Sequence, residues 1–239
     1  MTYPDRDANA APINPLPWVV WLLALPMIAV EVAANVGERG IVGGPAAIGW
    51  RAEWVQALGF APDYLRWMWE TRQFPPDGLM RLVSYPLVHG GATHAMFVVV
   101  ILLALGKFVG EVFRWWAVLV TFLGATAAGA VVYTLVPYAK AGLIGGYPGV
   151  YGLIGAYSFL LWVRLAGGGE NRLRAFRLIG FLLALQVLIA VIGVVAYGVE
   201  QGTTWEFTAD IGGFVAGFLL AFLVSPGGWA RVLARLRAH

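Results

Sequence analysis

Six stretches of the chain are apolar almost throughout and close to membrane-crossing length. They run from Pro17 to about Ala34, Leu82 to Leu105, Trp115 to Val136, Pro148 to Val163, Leu178 to Tyr197 and Phe207 to Val224. A helix needs about 20 apolar residues to cross a bilayer's hydrocarbon core, so the pattern predicts six transmembrane helices. Pro26 should kink the first, and Glu31 lies near its far end, within reach of water or a polar neighbour. Between the first and second stretches the pattern changes. Residues 35–82 interleave Trp50, Trp54, Trp67 and Trp69 with Arg51, Arg66, Arg72, Glu53, Asp63 and Glu70. The amphipathic pieces Trp50–Leu58 and Asp63–Glu70 predict short helices lying in the membrane interface, with a small folded external lobe as the alternative. Residues 1–16 read as a cytoplasmic tail, 17–225 as one membrane domain, and 226–239 as a basic cytoplasmic tail. In that last segment Trp229–Arg237 should rest on anionic headgroups, each basic residue contributing about 1 kcal/mol.

Composition sharpens this picture. Hydrophobic residues make up 60% of the 239 residues and charged ones 12%, whereas a soluble domain carries about a quarter charged residues. The absence of cysteine excludes disulfides, thiolate catalysis and Cys-ligated zinc. The net charge of +3 does not point to nucleic acid, because the basic residues sit at the ends of apolar segments. With a cytoplasmic N-terminus, Arg6, Lys107, Arg114, Arg164, Arg172, Arg174, Arg177, Arg231, Arg235 and Arg237 fall inside, and the short outer loops carry only Lys140. That asymmetry places both termini in the cytoplasm and the long connector outside. The expected location is a bacterial inner membrane. No small-residue cleavage site follows the first apolar stretch, so it reads as a span rather than a cleavable signal.

Polar and glycine positions inside the spans carry the candidate chemistry. Gly145-Gly146-Tyr147-Pro148-Gly149 leads into an uncharged helix with Gly149, Gly152 and Gly155 at helical spacing. Gly213 and Gly217 form a second small-residue face in the last span; such faces let helices approach at backbone distance. His89 and His94 flank the start of the second span, Glu111 its end, and Asp210 the start of the sixth. Five residues turn a helix by about 140°, so the two histidines do not share a face and no metal site is expected from them. On their own they read as interfacial histidines bonded to backbone carbonyls. Asp210 alone reads as a hydrated carboxylate near Thr208, and Glu111 as a partner of Lys107 one turn before it.

Together these positions resemble the rhomboid family of intramembrane serine proteases over about residues 79–225. The resemblance implies an all-α, six-helix transmembrane bundle. It places a catalytic serine at Pro148, in Tyr147-Pro148-Gly149, and its general-base histidine at Asp210. The family's double histidine matches His89, which would order a loop, and His94, which would help form the oxyanion hole with an asparagine at the position of Val98. Gly146, Tyr147 and Gly149 would line that cavity, and Glu111, Gly152, Gly155, Gly213 and Gly217 would be structural. Met80-Arg81 stands where many members have Trp-Arg. No cofactor or metal is implied.

Acyl transfer needs a nucleophile, a base and oxyanion donors. Proline supplies neither a hydroxyl nor a backbone N–H, so the family route is closed at position 148. Ser158, Tyr147 and Thr208 are poor substitutes in position or reactivity. An aspartic dyad would need a second carboxylate, and Glu200 and Glu206 read as lying in the loop outside. The expectation is a pseudoprotease that binds transmembrane segments of client proteins, with the lipid bilayer as its other partner and no nucleic acid. The alternatives are a serine-type endopeptidase with a rewired site and, more weakly, a proton or ion site at His94 and Asp210 in a small transporter. A facing His94–Asp210 pair is the sharper expectation for Asp210.

Overall fold

The computed structural model describes residues 15–198 and 205–227. The N-terminal tail up to residue 14, Glu200 and the basic stub Trp229–Arg237 lie outside the described residues. Among those described, six helices are long and apolar enough to cross a membrane. In chain order the helices are α1 (Trp18–Glu38), α2 (Gly44–Ala47), α3 (Trp50–Leu58), α4 (Pro62–Thr71), α5 (Pro76–Ser84), α6 (Ala92–Gly110), α7 (Trp115–Thr134), α8 (Tyr147–Gly167), α9 (Arg177–Tyr197) and α10 (Phe207–Val224). Short 3-10 turns at Tyr85–Leu87 and Arg172–Phe176 precede α6 and α9. The bundle is the all-α polytopic architecture that the apolar pattern predicts.

α8 is the axis of the bundle. Pro148, Gly149 and the run from Val150 to Ala156 are all buried, so this helix is surrounded rather than amphipathic. α7 and α10 pack along it at backbone distance. A Cβ on Gly217 would strike the backbone of Gly152, and one on Gly155 would strike the Phe214 carbonyl. α6 covers another side of α8, and α1 lies against α6, where Val20 fits over Gly106. α9 is different. Only 6% of its span is buried, against 33–56% in the other five.

The second span starts later than its apolar run suggests. Leu82 belongs to α5, and α6 begins only at Ala92. Pro86 lacks the N–H a continuing helix needs, and Gly90-Gly91 follows with Gly91 at φ 155°. The helices of the connector pack together and on the bundle. α3, α4 and α5 assemble over the ends of α1 and α7 nearest the start of α6, and Phe60, Leu65, Met68 and Tyr85 share a core with Tyr133, Leu143 and Ala209. Trp67 and Trp69 remain exposed on this packed lobe.

Polar contacts fasten the lobe. Arg66 donates to the carbonyls of Thr134 at 3.1 Å and Val136 at 2.7 Å, and pairs with Asp63. Phe60 and Leu143 exchange backbone hydrogen bonds of 3.0 and 2.8 Å. Arg51 bridges α3 to α1, with its guanidinium 2.9 Å from each oxygen of Glu31 and 2.6 Å from Glu38. These carboxylates hold the Arg51 guanidinium even more firmly protonated than usual, Glu31 contributing most.

Candidate functional site

At one end of the bundle the starts of α6, α8 and α10 enclose a cavity of about 270 Å³. Each start is built for close approach. The segment before α8 turns at Gly145, φ 88°, whose N–H donates to the carbonyls of Tyr85 and Val88. A side chain at 145 would collide with the imidazole of His94 as well as being strained. Gly146 then caps α8, Tyr147 and Pro148 form its first turn, and proline is well suited there because its missing N–H has no helical role.

Pro148 lies on the cavity wall, and so does Asp210. The two positions meet because Gly213, one turn beyond Asp210, packs against the Pro148 carbonyl, while Gly129 of α7 packs against the proline ring. His94 also lines the cavity, stacked on the Tyr147 ring with centroids 5.2 Å apart. Val98, one turn deeper on α6, is fully buried against Gly146 and presents only methyl groups. Gly149 is pressed between Phe122 and Thr126.

His89 stands behind this wall. Its ring meets His94 edge-on at 5.2 Å and is 1% exposed. Neither ring nitrogen has a hydrogen-bond partner among the described residues, so the carbonyl-bonded interfacial reading does not hold. Its own backbone carbonyl instead accepts a 2.8 Å bond from Arg51. Burial, reinforced by His94, pulls the imidazole down to about 4, leaving it neutral near pH 7. Arg81 donates to the carbonyls of Gln56 and Gly59 inside the lobe. Glu111 ends α6, its N–H bonded to the Lys107 carbonyl.

Asp210 departs from both expectations drawn for it. It is 6% exposed rather than hydrated, and its partner is neither Thr208 nor His94. Gln186 of α9 donates Nε2 to Asp210 Oδ2 at 2.6 Å, while Thr208 donates to the Trp205 carbonyl. His94 and Asp210 share the cavity without forming an ion pair, and His94 Nε2 has no partner among the described residues. Glu206 lines the same cavity one turn before Asp210, so a second carboxylate is present where none was expected. Thr93 supplies a hydroxyl on the α6 side that the motif pattern did not single out. Ser158 is fully buried three turns along α8 and lines no part of the cavity. Among the described residues no three histidine, aspartate or glutamate side chains converge as metal ligands.

Gln186 was legible in one respect, as the lone polar residue in an otherwise apolar fifth span. Glu206 carried no such signal, because a glutamate just before an apolar stretch normally faces water. The arrangement offers carboxylates, an imidazole and phenols around a proline, in a pocket at the end of the bundle where α6, α8 and α10 begin. The family model described as Rhomboid domain matches residues 76–227, from the start of α5 to the end of α10. That span contains every wall of the cavity, and the chain belongs to the rhomboid family.

Proposed function

We propose that this rhomboid-domain membrane protein binds transmembrane segments of client proteins and does not cleave them by serine chemistry. One observation carries the reading: the residue that shares the cavity wall with Asp210 is Pro148, which has no hydroxyl to attack and no N–H to donate. Val98 removes a further donor, since its methyl groups fill the space below Gly146. A loosely held α9 beside a closely packed α7–α8–α10 core suits a protein that admits a helix from the side. Lys107, Arg114, Arg164, Arg172, Arg174 and Arg177 all fall at the end of the bundle away from the cavity, which favours a cytoplasmic face there. The proposed setting is a bacterial inner membrane, with the lobe and cavity on the outer side.

The test is cleavage of a model transmembrane substrate in liposomes by wild type and by a Pro148→Ser, Val98→Asn, Asp210→His triple variant. The wild type is expected to stay at background while the triple variant cuts. Wild-type cleavage would overturn the reading. A second reading is favoured by Glu206 and Asp210 sharing the cavity: hydrolysis by a carboxylate pair. It would be identified by wild-type cleavage that disappears in Asp210→Asn.

A further inference from the structure

Client binding leaves open what guards the way in and what kind of helix is admitted. α9 presents Leu182, Leu183, Val187 and Ala190 around a single polar residue, Gln186. Its bond to Asp210 is the one side-chain hydrogen bond from α9 to another helix among the described residues. It is also half-made, because Gln186 Oε1 is buried without a partner. A buried carboxylate strongly needs a donor, but an amide with one end unsatisfied is an easily replaced one. Toward the outer face from this contact, Val187, Val191 and Val194 of α9 border an apolar groove of about 320 Å³ with Trp205 and Phe207. The cavity it adjoins is lined by the carboxylates of Glu206 and Asp210 and by no lysine or arginine.

We propose that Gln186 and Asp210 form a latch closing the gap between α9 and α10, released by a client helix that offers a lysine or arginine to Asp210. The proposal rests on the client-binding reading and gives the client its chemistry. A lone cation is costly within a bilayer, and so is a buried carboxylate robbed of its donor; pairing relieves both. The long aliphatic stem of such a residue also suits the apolar groove. An ammonium or guanidinium adds the attraction of a full opposite charge to its hydrogen bond and has no carbonyl to leave unsatisfied, so the cation displaces Gln186.

The experiment uses the full chain in nanodiscs with a photo-crosslinker in place of Phe97 on the cavity wall. Three synthetic transmembrane peptides are compared, identical except for lysine, asparagine or leucine near the outer end. Wild type should capture the lysine peptide about tenfold more than the leucine peptide, the ratio set by about 1.4 kcal/mol of preference. Asp210→Asn should abolish the preference and Asp210→Glu, which keeps the charge, should retain it. Gln186→Leu should raise lysine-peptide capture and widen the distance between spin labels on cysteines introduced at Leu188 of α9 and Val215 of α10. Equal capture of lysine and leucine peptides overturns the latch proposal but leaves client binding standing. Asparagine matching lysine overturns the cation requirement. Unchanged label distances in Gln186→Leu overturn the latch itself. Capture of no peptide by either wild type or Gln186→Leu removes client binding and everything built on it.

Discussion

Among the described histidines and acids His89 is the most isolated from water, at 1% exposure, with an imidazole held down to about 4 chiefly by burial. The unfolded chain takes up its proton near pH 6.5, before the folded one does. Stability from this residue is therefore complete above about pH 6.5 and lost as pH falls toward 4, by about 3 kcal/mol in all. The unfolding midpoint in detergent should drop between pH 7 and pH 4.5, and His89→Gln should flatten that part of the profile. A wild-type profile that is already flat would mean the ring is solvated. At this scale the motif pattern singled out His89, His94, Pro148 and Asp210, because unusual residues at span ends stand out against apolar neighbours. It did not reveal Gln186 or Glu206 as partners of the site. Which side chain turns toward Asp210 depends on how α9 and α10 are rotated, and uniformly apolar spans carry little information on rotation.

The helices themselves divide by how their glycines are used. Gly152 and Gly217 are in mutual contact, so Gly217→Ala must push α10 off α8 and should cost about 1–3 kcal/mol, the usual range for overpacking. Gly180 on α9 has nothing within 4 Å of where a Cβ would sit. Gly180→Ala should be neutral or stabilise by up to about 1 kcal/mol through helix propensity. Denaturant titration of the two variants checks the contrast, and equal effects would contradict the packing described. Span existence was readable from apolar length alone. The start of α6 was not, because Leu82 and Val83 are as apolar as a span requires while Pro86 and Gly90-Gly91 break the helix after them. Apolar content says what can enter a bilayer, whereas the backbone decides where a helix begins.

For the molecule as a whole, Arg51 is the residue that joins the first span to the lobe and, through the His89 carbonyl, to the segment behind the cavity wall. Arg51→Met would leave Glu31, 7% exposed, as a buried charge without its cation. That should cost about 3–5 kcal/mol, and adding Glu31→Gln should recover much of it, since removing both partners of a buried pair is far milder than removing one. Additive losses in the double variant, measured by thermal unfolding in detergent, would deny the coupling. The lobe was the least legible part of the fold because its contacts are so distant along the chain: Arg66 reaches Thr134 and Val136, and Leu58 accepts from Ser84. Periodicity reports local structure and is silent on such pairings.

The hydrogen-bonded exchange between Phe60 and Leu143 has a consequence for biogenesis. The lobe is made early, yet its core needs Tyr133, Leu143 and Ala209, which leave the ribosome much later. During synthesis the connector must wait with Phe60, Leu65 and Met68 uncovered until α7 and then α10 arrive. The cavity end of the bundle is thus finished last, and a chain interrupted before its final span would expose an apolar surface that the whole bundle hides.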